Sequence, residues 1–149
     1  MILFLDFDGT THPYGCKIFK EFSCLPRIER VLREFPHVQV VISSWWRVSD
    51  NLDQLRSYFS LDIKDRVIGS TPVIETHSNV ILDPVPRHHE ILQWIFENKY
   101  TGPWVALDDD WRGFPDDCKE LIKCFPDVGV DAEIEEKLRQ YFNSHEAHH

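Results

Sequence analysis

The chain has 149 residues, 42% of them hydrophobic and 28% charged, with a formal net charge of −9. That length is enough for one domain with a buried core, and the composition is ordinary for a globular protein. The negative balance argues against broad adhesion to nucleic acid or anionic membrane, while leaving room for a local phosphate site. The opening apolar run is too short to span a bilayer and lacks the basic start of a signal peptide. The four cysteines, Cys16, Cys24, Cys118 and Cys124, show neither C-x-x-C spacing nor the density of a disulfide scaffold. Reduced thiols in a cytoplasmic protein, with no membrane contact, are the expectation.

In chain order, residues 1–5 (MILFL) read as a buried strand. HPYGCKIFKEF follows as a hairpin flap, and then residues 25–35 carry apolar side chains at helical spacing. Residues 38–42 (VQVVI) form a second strand, ending at Ser43-Ser44. Leu52, Leu55 and Phe59 predict a helix N-capped by Ser49 or Asp50. A weaker strand covers 66–68, a helix 89–98, a strong strand 104–107 (WVAL) and a short one 122–125. A last helix spans 132–142 behind an Asp131 cap. Apolar strands alternating with amphipathic helices imply an α/β fold, a doubly wound and mainly parallel five-stranded sheet. One domain is expected over residues 1–143, with a disordered tail from 144 to 149 whose histidines are solvated.

Ligands of such sheets bind beyond the carboxyl ends of the strands. There the first strand ends in Asp6, with Asp8 just past it, the second in Ser43 and the fourth in Asp108-Asp109-Asp110. Arg87 opens the helix that feeds the fourth strand. Side chains alternate along a strand, so Asp6 and Asp8 point the same way while Phe7 turns into the core. Gly9 lets the backbone leave sharply beside a ligand. Two carboxylates about 4 Å apart repel by about 4 kcal/mol at an effective dielectric near 20. A cleft holding several of them calls for a cation, and an all-oxygen donor set suits Mg²⁺.

DFDGT resembles the first motif of the haloacid dehalogenase superfamily of phosphohydrolases, VVISS its second and VALDDD its fourth. The resemblance implies that Asp6 is the nucleophile that forms an aspartyl-phosphate. Asp8 would be the general acid and base. Ser43, Arg87 and Gly9 would hold the phosphate. Mg²⁺ would be bound by Asp6, the Asp8 backbone carbonyl and Asp109, with Asp108 next in line and Asp110 as a supporting residue or helix cap. The superfamily's third motif is usually a lysine; here Arg87 takes that place, with Lys64 as the alternative.

Both intervals where superfamily caps are inserted are short, so the chain reads as capless, with an open cleft. In SSWWR, Trp45 could stack a base at the cleft mouth and Arg47 could meet a second phosphate. The two tryptophans read equally as packing residues and Arg47 as a surface salt-bridge residue. LDFDGT–THP, SSWWR, PRHHEILQWI and WVALDDD together are similar to a small capless group associated with RNA repair systems. The implied function is a Mg²⁺-dependent phosphatase with RNA or DNA ends as substrate partners. A nucleotidase, a phosphoprotein phosphatase and a catalytically silent Mg²⁺-binding interaction module stand as alternatives.

Overall fold

The computed structural model describes residues 1–74 and 84–146. Five strands, β1 (Ile2–Leu5), β2 (Gln39–Ile42), β3 (Val67–Ser70), β4 (Trp104–Asp108) and β5 (Leu121–Lys123), form one sheet in the order β3-β2-β1-β4-β5. Every neighbouring pair is parallel. Helices α1 (Leu25–Glu34), α2 (Leu52–Ser57), α3 (Pro86–Glu97) and α4 (Ala132–Glu146) flank it. The expected α/β architecture, with no large cap, is what the chain adopts. No helix among the described residues is long and apolar enough to cross a membrane, and all four cysteines are free thiols.

Strand alternation divides the core in two. Leu3, Leu5, Val40, Ile42, Val105 and Leu107 face a large cluster with α1, α2 and α4. Ile2, Phe4, Val41 and Ala106 face the other way, under α3, with Ile91 and Trp94. The first layer is tied across its surface by charges: Arg27 and Arg139 both donate to Glu135, and Arg139 also to Glu34. Arg66 caps the end of α1 by donating to the carbonyls of Leu32, Phe35 and Val38.

Several boundaries differ from the sequence reading for local reasons. The first turn of α3 begins at Pro86, whose missing N–H costs nothing at a helix start. The cap of α2 is Asn51, not Ser49 or Asp50; it forms a capping box with Gln54, while Asp50 accepts from the Tyr58 hydroxyl. The flap is no hairpin. It is a series of turns with one short 3₁₀ segment, Ile18–Lys20, pinned where Cys24 N–H donates to Thr11 and Tyr14 N–H to Pro126. α4 continues through Glu146, so residues 144–146 are helical rather than a disordered tail; residues 147–149 lie outside the described residues. Asp131 caps that helix as expected, accepting from Ile134 N–H.

Phe7 is the side chain on which the end of β1 rests. It is fully buried and meets the rings of Phe22, Trp46, Tyr58 and Phe59. Phe7→Ala is expected to cost about 3–5 kcal/mol of stability, read by urea denaturation. A loss below about 1 kcal/mol would show that this cluster does not brace the strand.

Candidate active site

The registers that pair Leu5 with Ile42 and with Leu107 place Asp6 level with Ser43 on one side and Asp108 on the other. All three follow residues of the large cluster, so alternation turns them to the α3 face of the sheet. α3 delivers Arg87 to that row. Its Nη1 lies 3.3 Å from Asp6 Oδ1 and 3.3 Å from Asp108 Oδ2, and it donates to the Ser43 carbonyl as well. Thr10 Oγ1 donates to Asp6 Oδ2 at 3.3 Å, and the Asp110 N–H to Asp108 Oδ1 at 2.9 Å.

Carboxylate oxygens of Asp6, Asp108 and Asp109 lie within 4.8 Å of one another. Gly9, at φ +78°, makes room for the third: a Cβ there would stand 2.2 Å from Asp109 Oδ2. Burial and then the charge of Asp108 push the Asp6 carboxyl well above its ordinary range, against the pull of Arg87. Burial likewise raises Asp108, opposed by Arg87 and the Asp110 N–H. Two buried polar atoms in this row have no hydrogen-bond partner among the described residues, Asp108 Oδ2 and Ser43 Oγ. Leaving such groups unmet costs about 1–3 kcal/mol each. A hard cation suits the Asp108 oxygen, which Arg87 meets by charge but not by a hydrogen bond, and a phosphoryl oxygen suits the Ser43 hydroxyl.

Asp8 stands on the solvent side of Asp6. Its Oδ1 lies 2.8 Å from His12 Nε2 and its Oδ2 accepts from the Trp46 indole N–H at 2.9 Å. The Phe22 backbone N–H donates to His12 Nδ1, which leaves Nε2 as the nitrogen that carries hydrogen and donates to Asp8. His12 thus orients Asp8, a role absent from the sequence reading. The i, i+4 spacing of Asp8 and His12 was its only trace, and a loop conformation is needed to make it a contact.

A cleft of about 340 Å³ opens over the row, lined by Asp6, Asp8, Tyr14, Ser44, Trp45, Arg87, Asp109 and Asp110. Trp45 is 63% exposed at its edge, whereas Trp46 packs inward on Phe7, Phe22 and Tyr58. Arg47 is no substrate contact in this arrangement. Buried, it pairs with Glu90 at 2.7 Å and donates to the carbonyls of Ser43, Ser44, Thr71 and Pro72. Lys64 precedes the amino end of β3, at the opposite rim, so Arg87 alone of that pair reaches the row. Gly9 shapes the bed of Asp109 rather than lining the cleft. Asp110 lines the cleft outside the carboxylate trio, and its side chain caps no helix.

Residues 2–134 match the family described as the HAD domain in Swiss Army Knife RNA repair proteins, and the chain belongs to that family. No curated protein and no solved structure matches it. HAD domains are generally phosphohydrolases that use Mg²⁺, and Asp6, Asp108 and Asp109 form a group of carboxylates that could hold a metal ion.

A carboxyl whose folded pKa lies above its unfolded value adds stability at low pH that is lost as pH rises through the folded value. In a chelator, the slope of stability against pH between about pH 5 and pH 8 is therefore expected to carry a downward contribution from Asp6 and Asp108. Asp108→Asn, which keeps an acceptor for the Asp110 N–H, is expected to flatten the slope and add about 1–3 kcal/mol at the upper end. Urea titrations at the two pH values check this; an Asn variant less stable at both would contradict it.

Proposed function

We propose that the chain is a Mg²⁺-dependent phosphomonoesterase that works through Asp6, with phosphorylated nucleic-acid ends as its substrates. The observation that carries this reading is the row Ser43–Asp6–Asp108 under Arg87, with a buried hydroxyl at one end and a buried carboxylate oxygen at the other that have no hydrogen-bond partner among the described residues. The carboxylates of Asp6, Asp109 and Asp108 and the Asp8 carbonyl would hold the ion. When bound, Mg²⁺ supplies positive charge that offsets repulsion between nucleophile and phosphate.

Asp6 attacks phosphorus in line, forming an O–P bond as the bond to the leaving oxygen breaks. Asp8 gives its proton to that oxygen. The resulting carboxylate then takes a proton from water, whose oxygen bonds to phosphorus and releases Asp6 with inorganic phosphate. Arg87 and the Ser43 hydroxyl hold the transferring oxygens, where charge must be stabilised. His12 and Trp46 keep both Asp8 oxygens aimed. The family description and the open cleft flanked by Tyr14 and Trp45 favour a polymer end over a small metabolite.

The test is phosphate release with and without Mg²⁺ from an aryl phosphate and from RNA and DNA oligonucleotides phosphorylated at either end. Metal-dependent turnover that drops on the order of 10³-fold in Asp6→Asn is expected. Mg²⁺ binding without turnover of any substrate would defeat the proposal, and a preference for free nucleotides or phosphopeptides would replace its substrate.

A positioned acid matters for a poor leaving group and little for a nitrophenolate. Trp46→Phe and His12→Ala are therefore expected to lower kcat on oligonucleotides by about 10–100-fold and on nitrophenyl phosphate by less than about threefold. His12→Gln, which restores an N–H toward Asp8, is expected to recover much of the loss. Equal losses on both substrates would make these residues merely structural.

A further inference from the structure

We propose a second binding site beside the cleft, a strand-binding shelf on Trp111 that takes the nucleotides next to the terminal phosphate of a single-stranded nucleic acid. The inference rests on the phosphatase reading for where the end of the strand lies, but not for the shelf itself. Trp111 is 46% exposed and Phe125 69% exposed. Together with Lys123, Cys124 and Pro126 they line a hollow of about 370 Å³. Two cations flank the indole: Arg112 Cζ lies 5.1 Å from its ring centroid and Lys123 Nζ 5.4 Å. Neither cation makes an ion pair with a carboxylate among the described residues, in a chain with 25 acidic and 16 basic side chains. Aromatic faces for bases, interleaved with cations for phosphates, are what single-strand recognition uses.

The shelf is built from residues that adjoin the cleft in the chain and the sheet. Trp111 follows Asp110, which lines the cleft. Lys123 pairs in register with Asp108, one strand spacing of about 4.8 Å away. Pro126 accepts the backbone N–H of Tyr14, whose side chain lines the cleft. A strand whose end enters the cleft therefore meets Trp111 next.

The experiment measures binding of a labelled, unphosphorylated single-stranded RNA octamer by anisotropy across a salt series, beside hydrolysis of an aryl phosphate. Trp111→Ala is expected to weaken RNA binding about tenfold, with Trp111→Phe close to wild type. Arg112→Ala and Lys123→Ala should each reduce the slope of log affinity against log salt by about 0.7. Aryl phosphate turnover should be unchanged in all four. RNA affinity unaltered in the variants, or no binding by the wild type, overturns the shelf; aryl phosphate turnover by the wild type then reports separately on the phosphatase reading. Concentration-dependent self-association that Trp111→Ala abolishes, without an RNA effect, also overturns it and assigns the patch to protein contact.

Discussion

The carboxyl end of the sheet depends on one guanidinium held between two carboxylates. Asp6 and Asp108 are nearly sealed from solvent, and two anions so placed would separate or take up protons if nothing stood between them. Arg87 enters the gap from α3 and contacts both at 3.3 Å. Its planar fork, which stays charged under any ordinary condition, suits that task better than a lysine. The compensation is incomplete: the Asp108 oxygen that Arg87 meets and the hydroxyl of Ser43 have no hydrogen-bond partner among the described residues. Such deficits, at the place where ligands of parallel sheets bind, are a cost in stability that a ligand could offset.

The two sheet faces are covered differently. On one face, branched side chains of three central strands meet three helices. On the other, Ile2, Phe4, Val41 and Ala106 pack under one helix, with Ile91 and Trp94 of α3. The first turn of α3 lies over the strand ends, so that its Arg87 reaches the row. Packing and charge placement are here one geometric fact.

Much of this was legible in the sequence. The strand order of chemistry, Asp6 then Ser43 then Asp108, sits at the ends of apolar runs whose period is plain, and parallel pairing brings strand ends to one rim. Boundaries were softer where side chains compete for the same job: Ser49, Asp50 and Asn51 are all capping residues, and Gln54 decided between them. Trp46 could not be assigned to Asp8 because it lies 38 residues away, and His12, four residues away, meets Asp8 only in the loop conformation that follows β1. Arg47 misled for the same reason. Its partner Glu90 lies 43 residues further on, and nothing local distinguishes an arginine that will be buried from one that will be free.

That buried pair bears on how the molecule comes together. Arg47 gathers the ends of β2 and β3 through four carbonyls, and its ion-pair partner among the described residues is Glu90 on α3. Desolvating a guanidinium before its counter-ion arrives is too costly to be a stable halfway state. The segment after β2 therefore cannot settle until α3 docks, and the same docking brings Arg87 to the carboxylates. Rim and helix are thus expected to form together, so a chain caught partway through folding would lack both the Arg47–Glu90 pair and the Arg87 contacts.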